Sequence, residues 1–317
     1  MISCTEFIPL YSEFFKFIES KGGHDAVVRY WEYISDYSIG DKTNPNSLIS
    51  FVEKYGFEGT WKYWSHTLTE EACDVLRIYD PVNKTCYSHM RHCPSKGMLL
   101  EMKHLEPYYD YCGHCGLIYS RVLEKYGIMS ERDNSGVDHA ECSSMMYMRG
   151  HRPGPEVSQI DDTKIVMDLK REDNKYLHRD FHLIGDLALK YCGEKYGDNG
   201  VHEFLYHFAQ VNYAPVLEDA KKRGLIALKE KIEQVYETEE ASELLHTELT
   251  EDRLTVTVDK SPVIESMHSL NQEPSRYYIE ETRTLYAAMA DACDFGFTLE
   301  YYKEDGAAKF TFFKRGF

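Results

Sequence analysis

The chain has 317 residues, 43% of them hydrophobic and 28% charged, and a formal net charge of -17. That length holds two compact units of about 150 residues each. So acidic a balance works against a surface that collects nucleic-acid phosphates, whose affinity comes from lysine and arginine. The segment MISCTEFIPLYSEFFKFIES has neither a basic flank nor an unbroken apolar core, and no later segment approaches the ~20 apolar residues of a membrane span. The expectation is a cytoplasmic protein that engages neither nucleic acid nor membrane.

Helical spacing of Ala26, Val27, Tyr30, Trp31 and Ile34 predicts a first helix, and Leu48, Ile49, Phe51, Val52 and Tyr55 a second, stopped by Gly56. Between them, Asp41 to Asn46 read as a loop. Thr69-Glu70-Glu71-Ala72 end a further helix. A strand from Thr85 then sets Cys86, Ser88 and Met90 on one face. A helix near Tyr109 to Tyr126 and a strand near Ala140 to Met148 follow. Gly150 to Glu156, GHRPGPE, opens a linker with a short strand at Ile165 to Leu169.

The pattern then returns. Val201, Phe204, Leu205, Phe208 and Val211 predict a helix, as does Pro215 to Gly224. Leu254, Val256 and Val258 alternate as a strand, followed by a helix at Tyr278 to Phe295 and a strand at Lys309 to Phe313. At an offset of ~168 residues, Thr69-Ala72 recurs as Thr238-Ala241, Cys93-Pro94 as Ser261-Pro262, Tyr108-Tyr109 as Tyr277-Tyr278, and Tyr126-Gly127 as Phe295-Gly296. The fold expected is α+β: two tandem repeats, residues 1–149 and 176–317 around a crossover at 150–175, each with helices packed on a small, mainly antiparallel sheet.

Nine cysteines are an odd number, and most lie between Cys73 and Cys142. In a reducing compartment such crowding reads as metal binding or reactivity before disulfides. Cys112 and Cys115 share one face at the start of a predicted helix, where unpaired amides favour thiolate. The candidate catalytic residues are Cys112, Cys115, His114 and His139. If Cys93, Cys112, Cys115 and Cys142 converge, they suit zinc. In a regular helix His114 points ~100° away from Cys115, so it joins only through an irregular turn. In the second half the two helix cysteines meet Glu281 and Thr284, or Ile279 and Thr282 after a two-residue shift. Either alignment removes the thiols, which makes the second repeat a scaffold or a wall.

Cys93-Pro94, then Tyr111-Cys112-Gly113-His114-Cys115 opening a helix that ends in Tyr126-Gly127, then His139-Ala140-Glu141-Cys142 entering a strand, resembles L-2-amino-thiazoline-4-carboxylic acid hydrolase-like proteins. The tail of the pattern is similar to four-vinyl-reductase-type small-molecule-binding domains. The first resemblance implies opening of a small heterocycle at a C–N bond by water; the second implies binding of a small hydrophobic or aromatic ligand, with sensing as output. Cys-Gly-His-Cys is also the active-site tetrapeptide of protein disulfide isomerases, but here Glu106-Pro107-Tyr108 replaces their aromatic-Ala-Pro-Trp approach. The leading expectation is a hydrolase acting on a C–N bond of a small cyclic or amide-containing molecule through a Cys thiolate or Cys/His-bound zinc. The alternative is a small-molecule-binding or sensor module with a structural metal site, and behind it a thiol-disulfide redox protein. The helices permit a homo-oligomer, with no heptad run demanding one.

Overall fold

In a computed structural model, residues 1–316 are described; Phe317, the last position of the second expected repeat, lies outside them. The protein is α+β, with two antiparallel sheets of five and four strands. Its contacts divide into two compact units. Ile18–Met102 with Glu106–His178 form the thiol unit; Arg179 onward, with Met1–Phe17 and Lys103–Leu105, forms the carboxy-terminal unit. Among the described residues no helix is long and apolar enough to cross a membrane.

The chain opens with α1 (Phe7–Gly22). In the thiol unit, α2 (His24–Ile34) buries Ala26, Val27, Tyr30, Trp31 and Ile34, the stripe expected from their spacing. α3 (Leu48–Tyr55) starts where Ser47 accepts a hydrogen bond from the Ser50 N–H and stops at Gly56, whose φ of 63° suits glycine. It packs closely on α4 (Glu58–Thr67), because a Cβ on Gly59 would lie 2.3 Å from the Phe51 carbonyl oxygen. After α4 the chain makes a 3-10 turn at Leu68–Glu70, where a helix ending in Thr69 to Ala72 was expected, and Glu71 is already extended. Glu70 bonds His178 at 2.6 Å.

Next come β1 (Asp74–Asp80), β2 (Thr85–His92), α5 (Pro94–Glu101), α6 (Gly113–Leu123), β3 (Ile128–Asp133), β4 (Cys142–Met148) and β5 (Ile165–Leu169), with strand order β3-β4-β2-β1-β5. The strand expected inside the crossover is therefore the edge strand β5. β1 and β3 had no sequence expectation. Val75, Arg77, Ile78 and Tyr79 are all buried, so β1 lacks the alternation that marks a half-exposed strand.

In the carboxy-terminal unit, α7 (Asp180–Asn212) bends at Gly197, where φ is 74°. α8 (Ala214–Arg223), α9 (Leu225–Thr238), β6 (Leu245–Leu249), β7 (Arg253–Val258), α10 (Pro262–Ser269), α11 (Glu280–Ala292), β8 (Phe295–Tyr302) and β9 (Ala308–Lys314) follow. Glu239 there bonds the buried His182 at 3.0 Å, as Glu70 bonds His178. The sheet order β6-β7-β9-β8 matches β1-β2-β4-β3 of the thiol unit. Helix ends match too. Cys93 and Ser261 each cap a helix whose first residue is proline. The left-handed residue before the third strand is Gly127 in one unit and Asp294 in the other, so Gly296, paired with Gly127 by sequence, instead lies inside β8.

The two sheets differ in one row of cross-strand neighbours. In the thiol unit it reads Arg77, Ser88, Ser144, Arg132. The corresponding row of the other unit is Thr247, Val256, Phe310, Leu299. A row that one unit fills mainly with apolar side chains is polar and cationic in the other.

Candidate active site

Local chain geometry brings the thiols in from three elements. Cys93 is extended at the end of β2 and turns its sulfur to accept a hydrogen bond from the Lys96 N–H at 3.5 Å, which starts α5. The Cys93 N–H donates to the Ala140 carbonyl at 2.7 Å, tying β2 to the turn that leads into β4. Ala140 is left-handed with φ 59°, so the strand expected from Ala140 begins at Cys142, opposite Met90. Cys112 is the cap residue of α6 and Cys115 lies one turn further on. The charge of Cys115 is felt by Cys93, Cys112 and Cys142, and Cys142 acts in turn on Cys93 and Cys112. All nine cysteines are free thiols.

The four sulfurs are not equivalent. Burial pushes the Cys112 thiol up to about 12, with Cys115 adding to the shift. Burial likewise raises Cys93, well above the ordinary thiol value, and Cys142. Cys115 goes the other way. Burial acts to raise it, but His114 beside it and the guanidinium of Arg132 outweigh burial and the opposing charge of Glu71, leaving it at about 7. The helix start expected to lower both helix thiols therefore prevails at neither by itself: desolvation wins at Cys112, and the neighbouring His114 and Arg132 decide Cys115.

His114 joins from within the regular helix α6, without the irregular turn that was expected to be needed, because its ring reaches the sulfur of the next residue. Its Nδ1 meets the Tyr111 carbonyl oxygen. A carbonyl only accepts, so Nδ1 carries the hydrogen. Nε2 then faces the Cys115 sulfur at 3.3 Å. The ring is 8% exposed and stands edge-on to Tyr111 at 4.9 Å. His139, by contrast, is exposed on the 3-10 turn Val137–His139 before β4. Among the described residues it makes no hydrogen bond or ion pair with the cluster.

Three neighbours were not singled out from sequence for this role. Tyr119 follows Cys115 by one turn, and its ring meets Trp64 at 5.0 Å and Tyr63 at 6.3 Å, forming an aromatic wall. Burial, then the Cys115 charge, pushes its hydroxyl pKa up. Glu71, part of the motif shared by both halves, faces Cys93 and Cys115. Arg132 lies on β3 opposite Ser144. Burial acts to lower its pKa, but Cys115, Cys142, Tyr119 and Cys93 lift it above the ordinary arginine value. The alternation Ile128, Ser130, Arg132 within β3 carried that signal, once the segment is read as a strand.

Among the described residues no group of three or more His, Cys, Asp or Glu side chains is arranged to hold a metal ion. Zinc binds cysteine as thiolate, so Cys93, Cys112 and Cys142, whose thiols burial raises, would each give up a proton to hold it.

The matching place in the carboxy-terminal unit is a small cavity lined by Ser261, Tyr278, Thr282, Tyr286, Ala308 and Phe310. α11 starts after Ile279 as α6 starts after Cys112. Of the two sequence alignments, the shifted one therefore fits, with Thr282 in the place of Cys115. Compared with protein-family models, with curated proteins and with solved structures, the chain matches none.

Proposed function

We propose that the thiol unit is the active site of a hydrolase that cleaves a C–N bond in a small cyclic or amide-containing molecule, with Cys115 as nucleophile and His114 as its acid–base partner. The observation that carries this reading is the 3.3 Å approach of His114 Nε2 to the Cys115 sulfur, with the opposite ring nitrogen tied to the Tyr111 carbonyl. Nucleophile, base and orienting group stand in series, which is how a weak nucleophile is activated. A thiol titrating at about 7 is roughly half thiolate at neutral pH.

His114 Nε2 takes the Cys115 proton, and the thiolate adds to the carbonyl or imidoyl carbon. The C–N bond then breaks as His114 Nε2 delivers its proton to the nitrogen, leaving the carbon bound to sulfur. Water attacks that carbon while giving a proton to Nε2, and the sulfur departs as thiolate. One water is consumed, and for a cyclic substrate the product is the opened ring. The cysteine, histidine and glycine pattern shared with the thiazoline hydrolase-like proteins supports this substrate class. Nine free thiols go with a reducing, cytoplasmic setting.

A second reading, a ligand-binding or sensor module whose Cys93, Cys112, Cys115 and Cys142 close on zinc, is favoured by the mutual electrostatic contact of the four sulfurs. Anaerobic purification, metal analysis and assay against a panel of thiazolines, lactams and other small cyclic amides separate the two. Cys115→Ala is expected to lower turnover by at least about 1,000-fold, with Cys112→Ala within about tenfold of wild type. Turnover that survives Cys115→Ala sinks the nucleophile. Bound metal without turnover favours the sensor.

A further inference from the structure

Two arginines stand on the polar row of the thiol-unit sheet, and their surroundings are opposite. Arg77 is fully buried and satisfied. It donates to the Trp61 carbonyl at 3.1 Å, Ser65 Oγ at 3.0 Å, Ser88 Oγ at 3.2 Å and the Cys86 sulfur at 3.3 Å, and it stacks over the Trp61 ring at 4.5 Å. Arg132 is half-buried. Among the described residues no carboxylate or hydrogen-bond acceptor engages it, and the groups that share its field include Cys115, Cys142, Cys93, Cys112 and Tyr119. A guanidinium presents five donors in a flat fork. Leaving them unpaired in a half-buried place is costly unless a ligand completes them, and the fork matches a carboxylate or similar oxyanion. The carboxy-terminal unit, which has no thiols at the matching place, has Leu299 in this position of the row.

We propose that Arg132 binds the anionic group of the molecule that Cys115 attacks, so that the site takes small electrophiles bearing an oxyanion such as a carboxylate in preference to neutral ones. This rests on the reading of Cys115 as nucleophile. The net charge of -17 sharpens the inference. The chain as a whole repels anions, so any preference for them arises within the site, where Arg132 and Lys96 are the cations that act on the thiols.

Two alkylating reagents test this without a known substrate. Iodoacetate and iodoacetamide bring the same carbon to the same sulfur; the thiolate forms a C–S bond as iodide leaves with the C–I electrons. They differ in carrying a carboxylate or a neutral amide. The rate ratio, iodoacetate over iodoacetamide, is read at Cys115 by mass spectrometry in wild type, Arg132→Met and Arg132→Lys, and compared with free cysteine. Wild type is expected to exceed free cysteine by about tenfold, the scale of one charge-assisted contact. Arg132→Met is expected to abolish the excess and Arg132→Lys to keep most of it, while excess acetate slows iodoacetate on wild type. That last measurement needs no variant to fold. A wild-type ratio no higher than that of free cysteine, or an excess that survives Arg132→Met, overturns the proposal and leaves the nucleophile standing. If neither reagent labels Cys115, the nucleophile reading falls and this one falls with it.

Discussion

Cys112 and Cys115 lie one helical turn apart, and yet one thiol titrates at about 12 and the other at about 7. Both are desolvated, so burial alone sets neither apart. The guanidinium of Arg132 acts to lower both, and the difference is the imidazole 3.3 Å from Cys115. With His114 replaced by alanine, burial regains weight, and the Cys115 midpoint is expected to rise toward 9.0, its ordinary value, or beyond it. The two helix cysteines were legible from their spacing. His114 was named too, but only on condition of an irregular turn, because an ideal helix sends the side chain at the preceding position to another face; the turn is regular helix. A hydrogen bond from Nδ1 to the Tyr111 carbonyl turns the ring back, and no sequence pattern specifies that contact.

At the level of elements, the cap at the start of α5 separates a structural duty of Cys93 from a chemical one. Its sulfur accepts from the Lys96 N–H at 3.5 Å, and Ser261 does the same for α10 from the Ile264 N–H. Serine is a strong cap residue and alanine a poor one. Cys93→Ser is therefore expected to hold or slightly raise stability in urea unfolding, and Cys93→Ala to cost about 1 kcal/mol. Equal losses in both variants mean that the sulfur does something a hydroxyl cannot, as a zinc ligand would. The strand carrying Cys86, Ser88 and Met90 was visible through its counterpart, the alternating Leu254, Val256 and Val258, and the stripe of α2 and the glycine stop of α3 were visible directly. β1 was hidden by burial on both faces, and β3 by its charged outward residues Glu131 and Asp133. Missing β3 removed Arg132 from view. The alternation that makes a residue inward-facing has meaning only after the segment is known to be a strand.

For the molecule as a whole, each of the two units carries buried groups through which pH acts. Asp186, in the carboxy-terminal unit, is 2% exposed, and burial raises its pKa to about 6 against the Ser275 hydroxyl and N–H that bond it. Its unfolded value is 3.8. Between these values the folded form holds more protons than the unfolded one, so this group's contribution to stability falls as pH rises from about 4 to about 6 and is level above. Calorimetry of wild type and Asp186→Asn at pH 4 and pH 7 is expected to show the variant gaining on wild type by on the order of 2–3 kcal/mol across that interval. No change in their difference contradicts the burial argument. At this scale the sequence reading supplied the α+β class. It drew the boundary at the linker, whereas β5 from that linker completes the first sheet and Met1–Phe17 belongs to the second unit. Strand pairing is non-local, and composition along the chain does not record it.

The most direct test of the account is the pH profile of iodoacetamide labelling, resolved cysteine by cysteine, in wild type and His114→Ala. The expected result is that Cys115 labels fastest with a midpoint at about 7 and that His114→Ala moves this midpoint up by at least about one unit. A Cys115 that labels no faster than Cys112 at neutral pH, or a midpoint that ignores the loss of His114, contradicts it.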